Sequence, residues 1–61
     1  MDRIVFSERL QELLEESQYN FEKGLKIERV RCFGNLLTTN AGVDITLSNG
    51  MEFRLIIERR K

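Results

Sequence analysis

The chain has 61 residues, ten basic and ten acidic side chains, no histidine, no proline and a single cysteine. A chain of this length forms one domain at most and buries roughly 60% of its unfolded surface, so its stability is marginal without further support. One cysteine excludes an intramolecular disulfide and favours a reducing, cytoplasmic setting. No apolar run approaches the roughly 18 residues of a membrane span, and we expect no membrane association.

Enzymatic function is the least supported class. The absence of histidine removes the commonest general base and metal ligand, and the four glycines stand singly rather than in a phosphate-binding loop. Cys32 lies on the predicted core face, where a thiol behaves as a small hydrophobic side chain. We therefore predict no catalytic residue, no metal site, no cofactor and no small-molecule substrate.

The N-terminal part predicts an amphipathic helix. Ser7 is a plausible N-cap, and Gly24 is a typical residue after the last helical turn, which predicts a helix from Ser7 to about Lys23. The β-branched content of Ile4 to Phe6 favours a short strand before it, with an early helical turn as the alternative. The predicted apolar stripe has helical spacing and consists of Leu10, Leu13, Leu14, Ser17 and Phe21.

Alternating side chains predict a second element, a strand from Lys26 to Leu37. Val30, Cys32, Gly34 and Leu36 would face the core. Because Ile27 breaks this alternation, we predict a bulge near Glu28-Arg29, and Gly34 offers a second point for a bend.

The segment from Val43 to Ile57 predicts an antiparallel hairpin, since apolar and polar residues alternate on both sides of Ser48-Asn49-Gly50. A two-residue turn would place Glu52 opposite Leu47 on the apolar face. A three-residue turn, with Gly50 in the left-handed conformation, instead places Met51 opposite Leu47. The second register satisfies both faces, and we predict it.

The elements together predict a single α+β domain over residues 1–61, in which one N-terminal helix packs on a three-stranded antiparallel meander. A short N-terminal strand from Ile4 to Phe6 would be an addition to this fold. The predicted core consists of Leu10, Leu13, Leu14, Phe21, Val30, Cys32, Leu36, Val43, Ile45, Leu47, Met51, Phe53, Leu55 and Ile57.

The outer face of this sheet carries apolar residues where solvent is expected. If Leu36 opposes Val43, Leu37 comes near Ile56, with Phe33 one row further along. Contiguous exposed apolar area on a small domain usually has a binding partner, so the patch predicts a dimer or partner-protein interface. Scattered surface hydrophobic residues are the alternative. The predicted interface residues are Phe33, Leu37, Ile56, Arg29, Arg31 and Arg54.

A nucleic-acid interface is a second hypothesis for the basic residues. Residues 1–22 carry a net charge of −4 and residues 23–61 a net charge of +4. Basic side chains around an aromatic ring on a sheet are typical of single-strand binders. The candidates are Lys26, Arg29, Arg31, Phe33, Arg59, Arg60 and Lys61. Overall neutrality weakens this hypothesis, because it removes long-range attraction to phosphates.

The stretch from Val43 to Met51 resembles the strand-Asn-Gly-strand portion of Sm-like RNA-binding proteins, which also begin with a helix. The resemblance implies RNA binding, but any amphipathic hairpin with an Asn-Gly turn shares these residues, and we assign no family. The sequence favours a small, non-enzymatic, homodimeric interaction module of the cytoplasm that binds a partner protein. Its size suits a bacterial or bacteriophage accessory protein.

Overall fold

The structure, a computed structural model, describes residues 1–34 and 40–61. Helix α1 (Arg3–Glu16) is followed by strands β1 (Ile27–Phe33), β2 (Gly42–Leu47) and β3 (Glu52–Ile56). The strands form an antiparallel sheet in the order β1-β2-β3, and α1 packs on one face of it. The predicted α+β fold, one helix on a three-stranded meander, is confirmed.

The register of the β2–β3 hairpin is also confirmed. Ile45 lies opposite Phe53, and Asp44 lies opposite Arg54. The turn closes where the backbone N–H of Leu47 donates to the carbonyl oxygen of Met51 at 2.8 Å. Gly50 has φ +91°, a conformation that a residue with a Cβ adopts only at a cost, so the glycine permits the three-residue turn.

Strand β1 contains the predicted bulge but ends earlier than predicted. Ile27 lies opposite Leu47 and Arg29 opposite Thr46, so Glu28 is the extra residue. Cys32, rather than Leu36, lies opposite Val43, and the predicted pairing of these strands is wrong by four residues.

Gly34 accounts for the early end of β1. Its φ of +116° redirects the chain directly after Phe33, and a Cβ at this position would lie 2.8 Å from the Cβ of Ala41. Only glycine fits a backbone that turns this close to its neighbour. The predicted positions of Leu36 and Leu37 lie outside the described residues.

The helix begins four residues before the predicted cap. Asp2 is the N-cap, and its Oδ1 accepts a hydrogen bond from the backbone N–H of Val5 at 2.9 Å. Ile4 to Phe6 are therefore helical, and the extra N-terminal strand is wrong. Ser7 lies inside the helix, fully buried, and its Oγ donates to the carbonyl oxygen of Arg3 at 2.7 Å. Aspartate and serine are both good caps, so the sequence offered two competing starts.

The helix also ends earlier, at Glu16, so Phe21 lies outside it. The Oγ of Ser17 accepts a hydrogen bond from the backbone N–H of Tyr19 at 3.2 Å, a local contact that competes with a further helical turn. Gly24, with φ +75°, forms part of a tight turn instead of a helix cap. In this turn the N–H of Leu25 donates to the carbonyl oxygen of Glu22 at 3.0 Å.

The core is smaller than predicted. Helix α1 contacts β1 and β2 but not β3. An α-helix is roughly 10 Å wide and strands lie about 4.8 Å apart, so one helix covers about two strands. Among the described residues, the buried apolar side chains are Val30, Ala41, Val43 and Leu47. Leu10, Leu14, Ile45 and Ile57 are half-buried, whereas Leu13, Phe21, Cys32, Met51, Phe53 and Leu55 are exposed, which contradicts their assignment to the core.

Candidate functional site

Strand β3 is exposed along its whole length. On the helix side of the sheet lie Phe53 and Leu55 of β3 and Met51, which directly precedes the strand, and each keeps close to half of its surface in solvent. We call these three residues the inner strip. They have the spacing of core residues, but α1 does not lie over them.

The flank of α1 on the β3 side exposes apolar side chains as well. On the other flank, Gln11 Oε1 accepts a hydrogen bond at 2.9 Å from the backbone N–H of Cys32 in β1. Side chains advance by about 100° per helical residue, which places Phe6 and Leu13 about 140° and about 160° around the helix from Gln11. They therefore lie on the β3 side, where Phe6 is 45% and Leu13 is 65% exposed.

The helix flank and the inner strip together expose five apolar side chains, which we call the apolar surface: Phe6, Leu13, Met51, Phe53 and Leu55. The sequence predicts four of these residues to be core, because period-2 and helical spacing show which residues share a face but not whether another element covers that face. A signal for this exposed surface was that one predicted helix had to cover three predicted strands.

The two edges of the sheet differ. At the β1 edge, the hydrogen bond from Cys32 to Gln11 occupies an outward-pointing N–H with a helix side chain. At the β3 edge, no other element of the described ranges 1–34 and 40–61 packs alongside the strand. An uncovered edge presents unpaired backbone donors and acceptors to any strand that can pair with it.

The outer face of the sheet brings two predicted interface residues together. Phe33 and Ile56 both lie opposite Gly42, so they occupy one row rather than adjacent rows. Ile56 is 60% exposed, whereas Phe33 is half-buried beneath the Arg54 guanidinium, 4.3 Å from the centre of its ring. We call Phe33, Gly42 and Ile56 the outer patch. Leu37, the third predicted member, lies outside the described residues.

Arg54 is tied to its own sheet. Its Nε and Nη2 donate to the two carboxylate oxygens of Asp44 at 2.7 and 3.0 Å. The hydrogen bonds and the charge of the Arg54 guanidinium hold the pKa of the Asp44 carboxyl below its ordinary value, and Asp44 raises the pKa of Arg54. Arg31 lies opposite Asp44 on the other side, which places a carboxylate between two guanidinium-bearing strands.

The remaining candidate basic residues do not form one continuous field. Arg29 lies in a row with Thr46 and Glu52, so an acidic residue shares its row. In the tail, the Nε of Arg59 donates to the carbonyl oxygen of Lys61 at 2.7 Å. Lys26, Arg29, Arg31, Arg59, Arg60 and Lys61 are all exposed.

Across residues 1–34 and 40–61, no group of three or more acidic or cysteine side chains has the arrangement of a metal site. The one helix in this part of the chain is too short and too polar to cross a membrane. No protein-family model matches the chain, and neither a curated protein nor a solved structure is significantly similar to it.

Proposed function

We propose that this protein is a non-enzymatic protein–protein interaction module that works as a homodimer and binds a partner protein. One observation carries the proposal: β3 exposes apolar side chains on both faces and also an edge with which no other strand in residues 1–34 and 40–61 pairs. An edge strand that is uncovered and also exposes apolar side chains is a site at which another chain can associate.

The total surface of the chain supports association. A compact monomer of 7.2 kDa is expected to expose about 4,100 Å², whereas this chain exposes 5195 Å². The surplus of about 1,100 Å² is similar to the roughly 800 Å² that one partner contributes to a standard interface. The Cα radius of gyration, 12.3 Å, also exceeds the value of about 10.5 Å expected for a compact domain of this length.

Stability gives a second reason for association. Four buried apolar side chains among the described residues make a small core for a chain without a disulfide. Small domains commonly gain the missing stability by oligomerisation. Burial of the exposed side of β3 between two chains would enlarge the core without any change of fold. We propose the cytoplasm as the compartment, since a lone cysteine suits a reducing environment.

Nucleic-acid binding is the competing hypothesis, and one observation favours it: Arg29 and Arg31 are exposed on the outer face of β1. Two observations oppose it. Arg54 already pairs with Asp44, and its guanidinium covers the Phe33 ring on which a base would stack. The outer face is therefore better suited to contact with a protein than to contact with single-stranded nucleic acid.

Sedimentation velocity, run from low micromolar to near-millimolar protein at low and high salt, tests the proposed function. We expect a dimer that persists at high salt, because burial of apolar surface is not screened as exposed ion pairs are. A folded protein that stays monomeric over the whole range would contradict the proposal. Association that is lost at high salt would show that charge, rather than the apolar surface, holds the chains together.

A further inference from the structure

We infer that the dimer forms by antiparallel pairing of β3 with β3 of a second copy, with the two-fold axis at Phe53, so that a continuous six-stranded sheet results. The inference rests on the proposed function and adds the interface and its register. Three features of the described residues lead to it: the edge that is free, the backbone groups that point outward from it, and the charges beside them.

The free edge is that of β3. Pairing through β1 would require Gln11 to release the backbone N–H of Cys32, which it holds at 2.9 Å. Pairing through β3 displaces no hydrogen bond from another element of the described ranges. A second copy of the chain therefore finds β3, rather than β1, ready to pair.

The outward-pointing backbone groups of β3 are those of alternate residues. Leu47 N–H donates to Met51, and Ile57 N–H donates to Ala41, so the odd-numbered residues from Met51 to Ile57 direct their backbone groups towards β2. Glu52, Arg54 and Ile56 then direct theirs towards the free edge. Two copies can form an antiparallel ladder through these groups without rearrangement of either hairpin.

The side chains select the register. Opposed residues share a sheet face, so the inner strip of one copy has to lie opposite that of the other. With the axis at Phe53, Glu52 lies opposite Arg54 of the second copy, twice in the dimer. With the axis at Arg54, the two arginines oppose each other and Glu52 lies opposite Ile56 of the second copy. Opposite charges across strands are stabilising and like charges are destabilising, which favours the Phe53 axis.

The Phe53 axis also extends a charge pattern that each chain already has. Arg31, Asp44 and Arg54 form one row across β1, β2 and β3. Pairing adds Glu52 of the second copy beside Arg54, so basic and acidic side chains alternate across the join. Arg54 would then be flanked by a carboxylate on either side.

On the inner face the same register brings apolar side chains together. Phe53 lies opposite Phe53 of the second copy in a pair without backbone hydrogen bonds, where side chains approach most closely. Met51 lies opposite Leu55 of the second copy. The inner strips of the two copies become one continuous apolar strip, which lies between the two helices because each helix packs on β1 and β2. Phe53 and its neighbours thus contact the second copy side by side, along the join between the two sheets.

Disulfide trapping tests the register directly. In a background of Cys32→Ser, which removes the exposed native thiol, we would introduce Phe53→Cys. The Cα atoms of such a pair lie about 4.5 Å apart, within the range of about 4.4–6.8 Å for a disulfide. The matched control is Leu55→Cys, whose two copies would lie about 13 Å apart, four residues along the strands. Under mild oxidation, we expect a covalent dimer from the first variant and none from the second.

A charge exchange gives a second test that leaves the apolar residues intact. Glu52→Arg alone would create two arginine pairs across the axis, and Arg54→Glu alone two glutamate pairs. We expect each variant to raise the dimer Kd roughly tenfold or more. An equimolar mixture restores two opposite-charge pairs and is expected to form a heterodimer. Glu28→Arg, which makes the same charge change at the β1 bulge, is the control and leaves the Kd unchanged.

The outcomes separate the inference from the proposed function. If the wild-type chain is dimeric but Phe53→Cys forms no covalent dimer and the mixture shows no rescue, the β3 pairing is wrong and the proposed function stands. Equal trapping of both cysteine variants would overturn the register, as expected if the apolar surfaces of the two copies packed face to face. A monomeric wild-type chain would overturn both.

Discussion

Asp44 and Arg54 lie opposite each other on β2 and β3, and both oxygens of the carboxylate accept a hydrogen bond from the one guanidinium, at 2.7 and 3.0 Å. The same guanidinium lies over the ring of Phe33. Arg54 thus links side chains from all three strands on the outer face. These contacts hold the Arg54 side chain in place beside the proposed β3–β3 interface.

The Asp44 pair predicts a decrease of stability in acid. Arg54 lowers the pKa of Asp44 in the folded chain. The stabilisation that the Asp44–Arg54 pair gives to the fold is therefore complete above the ordinary pKa of 3.8 and is lost as the pH falls through the lowered value. Asp44→Asn is expected to destabilise the fold near neutral pH and to approach the wild type in acid. Chemical denaturation at several pH values measures this. A constant difference between the two proteins at every pH would contradict the role of the charge.

The close packing around Gly42 predicts that a larger residue at this position destabilises the fold. A Cβ at this position would overlap the carbonyl oxygen of Leu55 and lie 3.0 Å from Cζ of Phe33. We expect Gly42→Ala to lower the free energy of unfolding by about 2 kcal/mol or more, because neither backbone nor ring can move freely.

Gly24→Ala is the matched control for this variant. Nothing lies within 4 Å of a Cβ added at Gly24. The loss of unfolding free energy in Gly24→Ala, about 1 kcal/mol, therefore comes from the φ of +75° alone. Thermal or denaturant unfolding of both variants gives the comparison. A Gly42→Ala chain as stable as the Gly24→Ala chain would show that β2 and β3 lie further apart than described.

The helix flank predicts a variant that affects association but not folding. Leu13→Gln replaces a side chain that is already 65% exposed, so the stability of the single chain is expected to change little. In the dimer the same side chain lies on the flank of α1 that faces the joined inner strips, and its loss is expected to raise the Kd roughly tenfold.

Glu15→Gln is the control for Leu13→Gln, because Glu15 lies on the β1 side of the helix, near Ile27. Sedimentation velocity gives the Kd and circular dichroism the helix content. If both variants associate like the wild type, the Leu13 flank of α1 takes no part in the interface.

The charges on the outer face of the sheet predict how strongly the protein binds nucleic acid. We expect weak binding of a single-stranded oligonucleotide at physiological salt, because acidic residues share the rows of Arg29 and Arg31. Fluorescence anisotropy of wild type and an Arg29→Ala/Arg31→Ala variant over a salt series tests this. Tight, sequence-independent binding, with a salt dependence that decreases by about one unit for each arginine removed, would support the nucleic-acid hypothesis instead.

The sequence alone determined the local features of the sheet. The alternation on either side of Ser48-Asn49-Gly50 predicts both the hairpin and its register, because a one-residue slip would move every side chain to the wrong face. The bulge at Glu28-Arg29 follows from the position of Ile27 in the same way. These features depend on residues close together in the chain.

Tertiary structure decided the start of the helix, the end of β1 and the extent of the core. Asp2 and Ser7 are competing caps, and packing against the sheet selects the start that buries Ser7. Gly34 turns the chain where it meets Ala41, a contact that spacing does not reveal. Whether an apolar face becomes core or surface depends on how many strands one helix can cover, and here the helix covers β1 and β2 and leaves Phe53 in solvent.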